Sequence, residues 1–345
     1  MVDTFKNPLT RRFYAYFVSK DVNIYPIRPA AGAACFPCFI LALYMSIVGG
    51  VSDGLFSPSG GKLKKLVIAA GVVVTLVGIV LLSLPSLLHS AGLHPEYDGP
   101  TTKLPGKRAL IITTSHGVLA APGETEGQAT GVFGSEMTHP YYTFLDGGME
   151  VDIASIKGGA IPIDPSSFYF VVKTSHDDRY LSDPIAQAKA NNSIPIADVD
   201  ISHYDIVFMS GGWGAAYDLA QSPVLAAKVS ESYYGDRRAL IGGVCHGVLG
   251  LVNARDRSGQ LLIAGRRMTG VTDKQIKELG IEVTPKHPET ELRKAGALFE
   301  SQNAFRDFFA THVAVDEESR FVTGQNQNSG LETAHTMMQL LSERE

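Results

Sequence analysis

The sequence predicts an α/β fold, a mostly parallel sheet with helices on both faces, preceded by a transmembrane helix. Three observations carry this expectation. Short apolar runs bounded by turn residues alternate with helix-compatible segments from residue 107 to 345, as in a buried parallel sheet. The stretch 238–253 reads as strand, abrupt turn and helix, with Cys245 at the turn. Residues 66–84 carry no charge.

Residues 1–65 form a basic, partly apolar segment containing Arg11, Arg12, Lys20 and Arg28. Its apolar run at 36–51 is short and broken by Pro37 and Gly49-Gly50, so spanning stays open there. Cys35 and Cys38 have redox spacing but no strand–helix context around them. Residues 66–85 read as a membrane span, because a helix rising 1.5 Å per residue crosses a core of ~30 Å over that length. Pro85 is expected to end it. Lys62, Lys64 and Lys65 precede the span and no further lysine comes until Lys103, which puts the globular part on the non-cytoplasmic side. A signal peptide would share the lysines, but the run is long and 87–92 is a poor cleavage site, which favours an uncleaved single-pass anchor. Residues 86–106, rich in Pro and Gly, read as a linker.

Within 107–345, residues 109–114 are the first strand and 135–146 a helix closed by Gly147-Gly148. Residues 150–155 are the second strand. Residues 205–210 are the third, running into Gly211-Gly212-Trp213-Gly214. A helix at 225–234 leads to a fourth strand at 239–244 and the Cys245 turn. A charged helix at 285–294, a last strand near 320–323 and a helix at 331–341 close the domain. Ligands bind such sheets at the carboxyl ends of the strands, where the Gly211-Gly212 turn and Cys245 both fall.

The balance of charges excludes several classes. A net charge of −5 with both signs interspersed gives no basic footprint for nucleic acid. Of three cysteines only Cys245 lies beyond residue 100, which excludes a disulfide framework in the globular part. His116, His139, His176, His203, His287 and His312 show no metal-ligand spacing, so neither a metal nor another cofactor is expected.

The turn at Cys245 carries the chemistry. A bend this tight pushes the side chain off the strand end towards the start of the next helix. Free N–H groups there favour negative charge and are expected to lower the thiol pKa, making a thiolate nucleophile. The competing reading is a buried structural cysteine. The adjacent His246 and the pair Gly242-Gly243 favour the nucleophile.

Five motifs in chain order carry a resemblance: Gly134-Ser-Glu-Met-Thr-His-Pro-Tyr-Tyr142, Val151-Asp-Ile-Ala-Ser-Ile-Lys-Gly-Gly159, Tyr204-Asp-Ile-Val-Phe-Met-Ser-Gly-Gly-Trp-Gly214, Val244-Cys-His-Gly247 and Val322-Thr-Gly-Gln-Asn326. From about residue 104 onward the chain resembles the ThiJ/PfpI (DJ-1/PfpI) superfamily. That resemblance implies a flavodoxin-like three-layer sandwich with a nucleophile elbow, related to class I glutamine amidotransferase domains. The helix motif and the late Thr-Gly-Gln-Asn are nearest the heat-shock branch, whose members look like glyoxalases and holding chaperones.

The resemblance assigns roles residue by residue. It places Glu136 beside the nucleophile, where a carboxylic acid with a raised pKa would shuttle a proton. The backbone N–H groups of Gly212 and His246 would form an oxyanion hole, since a glycine turn lets the backbone approach a developing alkoxide. His246 corresponds to the general base or polarising partner. Asp273, in an Asp-Lys-Gln run, matches the third member that orients His246; its spacing also suits a helix N-cap. Trp213 and the pair Tyr141-Tyr142 are candidates for pocket walls or for core.

The implied activity is a cofactor-independent glyoxalase of the lyase type that forms D-lactate, acting on small reactive carbonyls such as methylglyoxal. Two other classes stand beside it. One is a membrane-tethered stress chaperone or redox sensor, whose thiol oxidises to a sulfinic acid. The other is a cysteine peptidase or amidase. Relatives are commonly homodimers, and a lipid bilayer would hold residues 66–85.

Overall fold

In a computed structural model of the chain, residues 61–344 are described. The expectations for the 36–51 run and the Cys35–Cys38 pair lie outside these residues. Helix α1, Gly61–Ser90, comes first. It is long and apolar enough to cross a membrane, and Leu66, Val73, Ile79 and Leu82 are each more than half exposed. Pro85 does not end it, contrary to expectation: the helix continues through Pro85 to Ser90. An interior proline forfeits one N–H bond and crowds the preceding turn, and here the flanking turns hold. The linker therefore begins after Ser90. The chain divides into two compact units within this helix, between Leu81 and Leu82.

The second unit is built on a seven-stranded sheet. Its strands in chain order are β1 (Arg108–Thr113), β2 (Glu150–Ser155), β3 (Ile194–Pro195), β4 (Ile206–Met209), β5 (Leu240–Val244), β6 (Val313–Val315) and β7 (Phe321–Gly324). Their spatial order is β6-β7-β5-β4-β1-β2-β3, and only β6 runs antiparallel, paired with β7. The chain first builds outward from β1 through β2 to β3 and then returns to the other side of β1 with β4. That reversal leaves a crevice at the carboxyl ends of the central strands.

Alternation along the strands divides the core between the two faces. Leu110, Ile112, Val207, Met209 and Ile241 pack on one side with Leu225 and Val229 of α5 (Pro223–Tyr234). Ala109, Ile111, Ile206, Phe208 and Leu240 pack on the other with Met137, Tyr142 and Phe144 of α2 (Gly134–Asp146) and Met337 and Met338 of α8 (Gly330–Ser342). All these residues are buried, which gives the three-layer sandwich expected. Helices α3 (Ser175–Ser182) and α4 (Pro184–Asn191) fill the path from β2 to β3, and α6 (Asp273–Leu279) and α7 (Pro288–Lys294) follow β5.

A histidine-rich seam ties the connector after α1 to this unit. His94 is buried with a left-handed backbone, φ 49°, and its N–H donates to Asn328 Oδ1 at 2.8 Å. Its ring lies edge-on to His139 of α2 at 5.8 Å, and His139 lies edge-on to His176 of α3 at 5.1 Å. Tyr97 stacks on His335 at 3.9 Å. Both ring nitrogens of His94 are buried. Burial and the neighbouring imidazoles hold His139 well below the ordinary histidine range; burial first, then His89, lowers His94 to about 4.

Candidate active site

The elbow follows from the strand it ends. Strand β5 is buried along its whole length, and the chain then turns directly into a 3-10 helix, Cys245–Leu251. Cys245 takes up the turn with φ 59°, a left-handed conformation that a residue with a Cβ adopts at a cost of about 1–3 kcal/mol. The sulfur is thereby lifted to the carboxyl end of the sheet, next to the Gly211-Gly212 turn that ends β4.

Gly212 has φ 98°, and a Cβ there would overlap the Phe133 amide and the Gly131 carbonyl. Only glycine lets this backbone close on the site. The N–H groups of Gly212 and His246 both donate towards the Cys245 sulfur, where they favour negative charge on that atom.

Glu136 enters from the first turn of α2 and is 2 % exposed. Its carboxyl is in hydrogen-bond contact with the Cys245 thiol and with the Gly211 backbone N–H, while Oε2 has no hydrogen-bond partner. Burial raises its pKa to about 8, against smaller opposing effects of those two contacts. A carboxyl shifted to about 8 is mostly protonated at neutral pH.

The thiol departs from expectation. Burial first, then the charge of Glu136 and its hydrogen bond, push the Cys245 thiol well above its ordinary value, and the N–H donors of His246 and Gly212 offset only part of this. Desolvation of an ion outweighs two dipoles when the residue is only 6 % exposed. The two groups thus share a site in which the second ionisation is strongly opposed, and the pair holds one negative charge at most over the physiological range.

His246 Nδ1 lies 3.5 Å from the Cys245 sulfur, and Nε2 is buried without a partner. Burial, then His287, lowers its pKa to about 3, so the ring is neutral. Asp273 does not orient it, which corrects the expectation for the third member. The Asp273 carboxylate accepts from Thr290 Oγ1 at 2.8 Å, and its backbone N–H donates to Glu289 Oε2 at 2.9 Å. Asp273 is also not the N-cap of α6. Thr272 is, accepting the Gln275 N–H at 3.0 Å, and Asp273 is turned towards α7 by the two bonds just named.

Above the sulfur opens a cavity of about 220 Å³ whose lining includes Phe133, Tyr169, Val172, Trp213, Val271 and Phe308, with Glu136, Cys245 and His246 at its base. Trp213 is thus a wall residue. Tyr141 and Tyr142 are core: their rings meet edge-on at 5.0 Å, and Tyr142 donates to Asp183 at 3.1 Å. Phe133, Tyr169, Val172, Val271 and Phe308 were not singled out from the sequence, since an aromatic or aliphatic residue reads the same whether it lines a cavity or fills a core. Phe133 alone carried a signal, lying directly before the Gly134 motif.

Comparison with known proteins agrees with this geometry. Residues 128–339 match the DJ-1/PfpI family. Glyoxalase 3 of Candida albicans is 28 % identical over 225 residues, covering 62 % of this chain and 91 % of that protein. The glutathione-independent glyoxalase HSP31 of Saccharomyces cerevisiae is 28 % identical over 240 residues, covering 66 % and 95 %. Among solved structures, the Rapid Encystment Protein 24 KDa of Francisella tularensis is 34 % identical with a TM-score of 0.62, covering 68 % of this chain and 99 % of that one. Glyoxalase III of Candida albicans is 26 % identical with a TM-score of 0.60, covering 68 % and 96 %. The chain, with its elbow cysteine and buried glutamic acid at the ends of a parallel sheet, belongs to the DJ-1/PfpI family.

Proposed function

We propose that the protein is a glutathione-independent, cysteine-dependent glyoxalase that converts small 2-oxoaldehydes such as methylglyoxal to 2-hydroxy acids. The observation that carries this reading is the buried pair itself, a thiol in contact with a carboxylic acid whose pKa is about 8. The relatives named as glyoxalases support it.

The reaction needs one ionisation and one water. In the form of the singly ionised pair that keeps the proton on Glu136, the Cys245 thiolate adds to the aldehyde carbon and the C=O π bond becomes an alkoxide. The N–H groups of Gly212 and His246 stabilise that oxygen, and Glu136 protonates it to a hemithioacetal. Glu136, now a carboxylate, takes the proton from C1 to give an enediolate and returns it to C2 while the C1 hydroxyl proton passes to the C2 oxygen, leaving a 2-hydroxy thioester on sulfur. Water cleaves the thioester, releasing the 2-hydroxy acid and restoring the thiol. With methylglyoxal the product is lactate, the D enantiomer if C2 is protonated on the face expected from the resemblance. The neutral His246 disfavours the thiolate–imidazolium pair on which a cysteine peptidase depends.

The test is conversion of methylglyoxal by Cys245→Ser in the full chain, followed by disappearance of the carbonyl and chiral assay of lactate. A serine protein as fast as the parent would overturn the reading.

The same reading includes a tether. Helix α1, apolar and exposed, supports a single-pass membrane anchor with the catalytic domain on the non-cytoplasmic side. Introducing lysine at both Val73 and Val77 should cost about 5–7 kcal/mol of insertion and shift the chain from a carbonate-resistant membrane fraction to the supernatant. A parent chain already in the supernatant would dismiss the anchor.

A further inference from the structure

The cavity over Cys245 is larger and greasier than methylglyoxal requires. Its volume is about 220 Å³, whereas a protein cavity of roughly 150 Å³ holds a benzene molecule. The difference is enough for the two-carbon dicarbonyl head that reaches the sulfur. Methylglyoxal, with five heavy atoms, would leave about half of this space unfilled.

The chemistry of the walls is as specific as their size. Phe133, Tyr169, Trp213 and Phe308 present four aromatic rings, and Val172 and Val271 add aliphatic surface. Of the lining residues Val271 is 1 % exposed and Tyr169 62 % exposed. Beyond the reacting groups, the Tyr169 hydroxyl and the Trp213 indole N–H, the polar side chains of the lining are Ser166, Gln275 and Gln327. Gln275 Oε1 is already occupied, accepting from Asn326 Nδ2 at 3.2 Å. Among the described residues no lysine or arginine lines the cavity, so none of them would neutralise a phosphate or carboxylate on the substrate. A small polar substrate would leave the apolar walls facing water that they cannot hydrogen-bond, whereas a ring or branched chain would displace it.

Resting on the glyoxalase reading above, we infer that the preferred substrates are uncharged 2-oxoaldehydes with an aryl or bulky alkyl tail, held between the aromatic walls while the aldehyde meets Cys245. Phenylglyoxal is the simplest probe. Its ten heavy atoms match the space, and the balanced reaction is the addition of one water to give mandelate, with the C1 proton moved to C2 as before.

The experiment compares kcat/KM of the full chain for glyoxal, methylglyoxal, isobutylglyoxal and phenylglyoxal. Each buried methylene is worth roughly a fourfold gain. The series should therefore rise with tail size, with phenylglyoxal at least tenfold above methylglyoxal. Val271→Phe, which adds bulk at a buried wall of the cavity, should lower the phenylglyoxal-to-methylglyoxal ratio at least tenfold. Phe308→Ala, which removes a wall without crowding the core, should lower the same ratio and serves where the first variant folds poorly. Methylglyoxal equal to or better than phenylglyoxal in the parent overturns the inference while leaving the glyoxalase reading intact. A ratio unmoved by both variants also overturns it. Conversion of none of the four substrates overturns both.

Discussion

Replacing Glu136 with glutamine should make the protein more stable and nearly inactive, with a stability gain that grows with pH. The buried carboxyl has a pKa of about 8 against 4.5 when unperturbed. A folded value above the unfolded one means that the native state holds a proton the unfolded chain has released. Stability is therefore complete below pH 4.5 and declines as pH rises towards 8. With about 1.36 kcal/mol per unit, the penalty is under about 1 kcal/mol at pH 5, about 3 at pH 7 and about 5 above pH 9. Glutamine keeps the shape and cannot ionise, so it removes this penalty. It also weakens the contact with the thiol, so we expect a net gain of about 1–3 kcal/mol at pH 7. Urea unfolding of the parent and the variant between pH 5 and 9 reads the difference directly. Turnover should fall by roughly 10²–10⁴, the usual contribution of a positioned proton carrier. A stability difference that is flat with pH, or a variant within threefold of parental activity, would refute the assignment of a protonated Glu136.

Asp273→Ala should change kcat/KM by less than about threefold, since its carboxylate is bonded to Thr290 rather than to His246; a loss beyond a hundredfold, read in the same carbonyl assay, would restore Asp273 as the orienting residue. Gly212→Ala must shift the backbone off Phe133, and should lower kcat by about 10² or more through the displaced N–H donor, checked by single-turnover kinetics on protein that retains its circular dichroism. His94 titrates at about 4 in the folded chain against 6.5, so stability is full above pH 6.5 and is lost as pH falls towards 4, by about 2 kcal/mol at pH 5. His94→Gln should flatten that acid limb in a denaturation series, and an unchanged limb would acquit the histidine seam.

Much of the scaffold was legible because parallel strands buried on both faces read as short apolar runs. The strand Glu150–Ser155 and the helix starting at Gly134 lie where the sequence put them, to within a residue. The two-residue strand β3 and the three-residue strand β6 are too short to show any period. Helix α3 is polar, and its only signal was the capping box from Thr174 to Asp177. Pro85 was read as a stop because local geometry disfavours it, yet one lost bond does not end a thirty-residue apolar helix. At the site, Cys245, Glu136, His246 and Gly212 are brought together, because a strained elbow and a glycine turn leave marks in the sequence. The sign of the thiol shift and the true partner of Asp273 leave none. Both depend on how completely distant segments close over the site and on which neighbour α7 presents.

The left-handed backbone at Cys245 has a consequence for how this protein can fail. Glycine is the residue best suited to that torsion, and an amide in place of the Glu136 acid would sit more comfortably in its apolar surroundings. Both changes that silence the chemistry thus run downhill for folding. Damage at the reactive centre would leave abundant, correctly shaped chains that unfold no more easily than the parent, and expression level would not report that they had gone quiet.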